Sequence, residues 1–155
     1  MEQPVEFARR IAGFDVGDKR IGVAVSDALG NAQPLLTIYC KTPRADLKSI
    51  GRILRKHAVT EAVVGNPLHM SGEVGPRARK SQEFAEQLRA EFGVPVHLVD
   101  ERLTTWQAHQ ILDEAGHSRR NAKERQERSR IVDQVAAVLI LQGYLDAQAR
   151  VGREG

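Results

Sequence analysis

The chain has 155 residues, 41% hydrophobic and 28% charged, ordinary globular composition that excludes a disordered, collagen-like or disulfide-scaffold chain. At roughly 100–200 residues per domain it is read as one domain over residues 1–155, with flexible ends at 1–9 and 147–155, too short for a two-lobed machine. A net charge of +3 permits an anionic partner without demanding one. The lone cysteine, Cys40, can form no intrachain disulfide and points to a reducing compartment. The longest apolar run is the seven residues Val135 to Leu141, far short of the roughly 20 that cross a bilayer. MEQPVEFARRIAG lacks the pattern of a secretory signal, so a cytoplasmic protein without a membrane segment is expected.

In chain order, Arg10 to Val16 and Arg20 to Ser26 read as the strands of a hairpin, with Ile21, Val23 and Val25 alternating. A third strand is predicted at Leu35 to Cys40. From Pro43 the period changes, with Leu47, Ile50, Ile53 and Leu54 on one helical face and Arg44, Lys48, Arg52 and Lys56 on the other. That basic stripe reads as a solvated face. Ala62 to Gly65 is a short buried strand, Arg77 to Phe92 a helix closed by Gly93 and Pro95, and Val96 to Val99 a further strand. Thr104 or Thr105 is placed to cap a helix running through Leu112 toward Gly116. His117 to Arg130 holds six basic and two acidic residues, a net +4. Ser129 to Leu145 is helical and apolar on most faces, so it should lie clamped against the sheet. The pattern is α/β: a mixed sheet led by antiparallel strands and continued by parallel ones after the first helical crossover, with helices packed on it.

In such sheets reactive crevices lie beyond the carboxyl ends of the parallel strands. Asp15 lies near the exit of the first strand, and Asp100 and Glu101 close a later one. Asp133 sits inside an apolar helix, where a charge is costly unless something meets it. Each acid alone has an ordinary explanation: Asp15 closing a turn, Asp100 starting a helix, Glu101 beside Arg102, Asp133 paired with Arg130 one turn earlier. Their convergence on one edge is what points to chemistry. Oxygen ligands suit Mg²⁺ or Mn²⁺ rather than zinc, and two such ions serve in-line displacement at a phosphodiester.

The segments DVGDKRIGVAVSD, VVGNPLHMSG, VDERLTT and IVDQVAAVLILQGYL, in that order over about residues 10 to 146, closely resemble the YqgF-type family of pre-16S ribosomal RNA nucleases and Holliday junction resolvase-like proteins. The resemblance implies an RNase H-like fold, a cytoplasmic location and processing of the 5′ end of the small-subunit ribosomal RNA precursor. Carried over by position, Asp15, Glu101 and Asp133 correspond to the family's catalytic, metal-binding acids. Asn66 and His69 depart from the commoner wording of the second segment.

Lys19, Arg20, His69 and Arg102 are the candidate substrate contacts, through phosphate or by relieving carboxylate repulsion. The 117–130 segment and the Arg77, Arg79, Lys80 cluster read as a grip on a nucleic-acid backbone. With only seven aromatic residues no stacking platform for bases is evident, and Trp106 is expected in the core. The five histidines lack zinc spacing. Structured RNA is the expected partner, with branched DNA as the enzyme alternative; the chain would act as a monomer or a homodimer. A binding module with little catalysis, and a fragment of an actin-like kinase, are the readings from other classes. GDKRIG lacks the Lys-Ser or Lys-Thr of a P-loop, which weighs against the latter.

Overall fold

The computed structural model describes residues 9–67, 71–101 and 104–154. Strand β1 (Ile11–Val16) and strand β2 (Arg20–Ser26) form the expected antiparallel hairpin, closed by the Gly17 N–H donating to the Arg20 carbonyl at 2.9 Å. Strand β3 (Ala32–Tyr39) pairs antiparallel with β2 and begins three residues before the expected Leu35. Pro34 lies within it, which is tolerable because β3 is the sheet edge and the register shifts opposite Val23 and Ala24.

Helix α1 (Pro43–Lys56) starts at a Thr42 cap whose side chain accepts from the Ala45 N–H. It carries the chain to β4 (Glu61–Asn66), which pairs parallel with β1. Helix α2 (Pro76–Phe92) then leads to β5 (Val96–Asp100), parallel to β4. The strand order is β3-β2-β1-β4-β5, the mixed sheet expected from the sequence.

The two sheet faces separate by alternation. Ala12, Phe14, Val16, Ile21, Val23 and Val64 join the core beneath α1 and α2, with the Phe14 and Phe84 rings edge to face at 5.5 Å. Helices α3 (Thr104–Glu114) and α4 (Ala122–Glu154) cover the opposite face. There Ala137, Ile140 and Leu141 pack on Ile11, Ala24 and Val63, while Val132 and Ala136 pack on Ala108 and Leu112 of α3. Between Ile131 and Leu145 helix α4 is apolar on most faces because it lies between the sheet and α3. It starts seven residues earlier than the sequence pattern suggested. The Asn121 side chain accepts from the Glu124 N–H at 2.8 Å, and Glu124 accepts from the Arg120 N–H at 3.0 Å, a polar cap that apolar periodicity cannot reveal.

Among the described residues, no helix is long and apolar enough to cross a membrane.

Candidate active site

Asp15 is the penultimate residue of β1, paired across the hairpin with Gly22 and facing α4. Asp133 lies one and two turns before Ala137 and Leu141 on the sheet-facing side of α4, at the point where that row passes Gly22. A Cβ on Gly22 would lie 2.0 Å from the Asp133 carbonyl oxygen, so the absence of a side chain there is what lets the helix bring its acid to the sheet. Anchors on β3 fix the helix further: the Thr37 hydroxyl donates to the Arg130 carbonyl at 2.8 Å, and Gln142 accepts from the Ala32 N–H at 2.9 Å.

Glu101 follows the last residue of β5. Its N–H donates to the Asn66 carbonyl at 3.3 Å, extending the ladder by one residue, and its carboxyl group lies over Gly65, whose missing Cβ would sit 2.7 Å from Glu101 Cδ. Asp100 is exposed whereas Glu101 is buried. The three acids of the sequence analysis thus reach the α4 face of the carboxyl edge from β1, the end of β5 and α4.

Burial dominates their electrostatics. The Asp15 carboxyl is pushed up to about 6, first by burial and then by the Asp133 charge, with Arg77 and Arg20 opposing. Glu101 is pushed up to about 8 by burial and the neighbouring Asp15, again with Arg77 opposing. Among the described residues, Asp15 Oδ1 and Glu101 Oε1 are both buried with no hydrogen-bond partner, an expensive arrangement for acceptors in a low-dielectric setting. Burial also raises Asp133, but the Arg20 Nε donates to its Oδ2 at 2.6 Å and offsets part of the effect. The expected Arg130 partner for Asp133 is not used: Arg130 turns to Glu127 at 3.8 Å. The acids therefore interact as two pairs that share Asp15. Among the described residues, no three His, Cys, Asp or Glu side chains are grouped closely enough to hold an ion as they stand.

A cleft of about 370 Å³ opens beside Asp15 and Asp133, lined also by Lys19, Arg20, Arg77 and His109 among others. Lys19 and Arg20, both candidate substrate contacts, are in it; His69 and Arg102 lie outside the described residues. Two further lining residues are not linked to the acids by the sequence. Arg77, placed there in a generic basic cluster, stands at the start of α2 and acts on both Asp15 and Glu101. His109, on α3, has its imidazole pushed toward the neutral form by burial and by Arg128 and Arg119.

The 117–130 segment is only partly free for an anionic partner. Arg128 is 4% exposed and ties α3 to α4 by donating to Asp113 Oδ1 at 2.8 Å, the His109 carbonyl at 3.1 Å and the His117 carbonyl at 3.0 Å. Trp106 is 57% exposed rather than in the core. Helix α3 buries Ala108 and Leu112, and a residue two positions before Ala108 points the other way on a 3.6-residue helix.

Arg77→Ala should raise the Asp15 and Glu101 titration midpoints further, since it removes a charge that lowers both, and should slow any cleavage at pH 7 about tenfold or more. Carboxyl ¹³C shifts followed against pH, together with single-turnover rates, check both effects; unchanged midpoints would contradict the placement of Arg77.

The strand order, with helices on both faces and α4 packed across β1, β2 and β3, defines an RNase H-like fold. The fowlpox virus Holliday junction resolvase has the same kind of fold, with a TM-score of 0.54 at 10% identity, covering 90% of this chain and 99% of that one. A model of the RuvX family, described as Holliday junction resolvase, matches residues 9–147, and the chain belongs to that family. A relative from Moorella thermoacetica is 50% identical over 147 residues, covering 94% of this chain and 99% of the relative, and one from Myxococcus xanthus is 47% identical over 139 residues, covering 89% and 88%. Both carry the name "Putative pre-16S rRNA nuclease".

Proposed function

We propose that this protein is a divalent-metal-dependent endonuclease that hydrolyses a phosphodiester bond in structured RNA, processing the 5′ end of precursor 16S ribosomal RNA in the cytoplasm. The observation that carries this reading is the pair of buried carboxyl oxygens, Asp15 Oδ1 and Glu101 Oε1, left without partners among the described residues at the carboxyl edge of the sheet. A fold that only needed to be stable would pair or remove them. The family membership and the names of the relatives support the same reading.

The donor set fits a hard cation. Asp15, Glu101 and Asp133 offer oxygen ligands only, as Mg²⁺ or Mn²⁺ prefers, and a cation would offset the burial and the mutual repulsion that raise the first two. When bound, such an ion supplies charge stabilisation at the phosphate and a more acidic attacking water. The chain's own residues do the rest. Asp15 and Glu101 would hold the ion, with Asp133 as the third acid, oriented by Arg20. Lys19, Arg20 and Arg77 line the cleft with positive charge for the phosphate and its neighbours. His109, held toward neutrality, is able to accept a hydrogen bond or a proton at the cleft wall.

Branched DNA is the nearest alternative substrate, because the family description names a junction resolvase; symmetrical cutting of a junction would require two copies of the chain. A 5′ precursor 16S fragment and a four-way DNA junction incubated side by side with Mg²⁺, Mn²⁺ or EDTA separate the readings. Ion-dependent cutting of the RNA with the junction intact is the expected result. Cutting of the junction alone would replace RNA processing by junction resolution, and binding without cutting of either would remove the enzyme reading.

A further inference from the structure

The exposed face of α1 is a second positive surface, separate from the cleft. Arg44, Lys48, Arg52 and Arg55 recur along the helix and project within about 80° of one another on a 3.6-residue helix. All four are exposed, and Lys56 adds to one side. With Asp46 as its single acid, the helix carries a net +4, more than the +3 of the whole chain. Several other cations are tied to carboxylates: Arg9 to Glu61, Arg20 to Asp133, Arg128 to Asp113. Among the described residues, none of the four has a carboxylate partner; Arg52 donates only to the Ser49 hydroxyl at 3.2 Å. An open groove of about 680 Å³ runs beside Arg44, Lys48 and Arg55 toward Phe92 and Glu91 of α2.

Position gives this stripe a use. The N–H of Cys40, just past β3, donates to the Lys19 carbonyl at 2.9 Å, so α1 begins at the edge that carries the acids. A hollow lined by Gly17, Asp18, Lys41, Pro43 and Asp46 joins the two regions. From there α1 leads away toward the start of β4, at the opposite edge.

We infer that α1 is a rail for the phosphate backbone of a double-helical arm flanking the cleaved strand, an inference that rests on the nuclease reading and adds where the rest of the substrate lies. The eleven steps from Arg44 to Arg55 span about 16 Å at 1.5 Å per residue, a length over which one strand of a duplex presents several phosphates. Four cations in a line suit that spacing. An acidic protein surface is the less suitable occupant, because a protein interface needs apolar anchors. Among the described residues, the exposed large hydrophobic side chains are Leu29, Tyr39, Val74, Leu98, Trp106, Ile111 and Val151, and none lies on α1 or α2.

The test uses the full chain in EDTA, with a fluorescent RNA hairpin of 15 base pairs bearing a single-stranded 5′ tail, and the tail alone. The variant is Arg44→Gln, Lys48→Gln, Arg52→Gln and Arg55→Gln combined, accepted once its melting curve matches the parent. For the hairpin, the slope of log Kd against log salt should fall by about two to four and binding at 100 mM salt should weaken about a hundredfold, with the tail unaffected. An unchanged hairpin slope overturns the rail and leaves the nuclease reading standing. Parent protein that binds neither RNA removes both. Polyglutamate that displaces the hairpin at equal charge concentration overturns the rail in favour of an acidic protein partner.

Discussion

Replacing Asp15 by Asn, or Glu101 by Gln, is expected to abolish cleavage and at the same time to stabilise the folded chain at pH 8 in the absence of divalent ions. Both carboxyl groups ionise less readily when folded: Asp15 moves from an ordinary value of 3.8 to about 6, and Glu101 from 4.5 to about 8. The folded chain therefore holds more protons than the unfolded chain between about pH 4 and 8, and its stability declines as pH rises through that window and levels off above it. Below about pH 4 the penalty is absent. At 1.36 kcal/mol per pH unit the penalty on Glu101 alone is bounded by about 5 kcal/mol. Because Asp15 and Glu101 titrate together, a gain of about 1–3 kcal/mol for either neutral variant is the working figure, or roughly 3–8 °C in Tm for a chain of this size. Cleavage should fall by about a thousandfold or more. Added Mn²⁺ should raise the Tm of the parent protein and leave both variants unmoved. Asp133→Asn is the contrasting case, because it removes the charge that Arg20 pairs with at 2.6 Å and should bring no gain. If the Asp15 and Glu101 variants are instead destabilised at pH 8, the two acids serve the fold rather than a cation.

The second large effect concerns a glycine. A Cβ at Gly22 would lie 2.0 Å from the Asp133 carbonyl oxygen, 2.3 Å from its carbonyl carbon and 2.9 Å from its Cβ. Helix backbone cannot swing aside as a side-chain tip can, so Gly22→Ala must push α4 off β2 as a body. A loss of about 3 kcal/mol is expected, and a displacement of Asp133 near 1 Å should cost about a hundredfold in cleavage even where the protein remains folded. Gly65→Ala provides the comparison. Its Cβ would meet the Ile140 Cδ1 at 2.5 Å and the Glu101 Cδ at 2.7 Å, both ends of side chains that can rotate. Stability should fall less there while cleavage still suffers, because Glu101 is what moves. Urea unfolding and single-turnover cleavage of the two variants give the four numbers; wild-type stability in Gly22→Ala would contradict the close approach of α4.

What the sequence discloses follows from range. The hairpin is written in local alternation and the later parallel strands in short apolar runs, and Asp133 announces itself as the one acid in an apolar helix. Its partner does not: Arg20 lies 113 residues away, and nothing local distinguishes it from Arg130, the cation one turn earlier. For the same reason Arg77 is legible only as one of a basic cluster and His109 not at all, since only the packing of α2 and α3 at the sheet edge brings them to the acids. Trp106 misleads through composition, because a lone tryptophan suggests a core while the phase set by Ala108 and Leu112 turns it outward. The 117–130 segment reads as free charge until the fold shows Arg128 buried between two helices. The α1 stripe is legible as a pattern, but its lack of carboxylate partners among the described residues is visible only in the folded chain.

The central claim is that Asp15, Glu101 and Asp133 hold a divalent cation at the carboxyl edge of the sheet. Crystals soaked in Mn²⁺ and measured at a wavelength where manganese scatters anomalously test it directly. The account predicts an anomalous peak within about 2.2 Å of Asp15 and Glu101 oxygens, with Asp133 on the same ion or a neighbouring one, and no peak in Asp15→Asn crystals. A peak elsewhere with these carboxyl groups unligated, or no peak at saturating Mn²⁺, would contradict it.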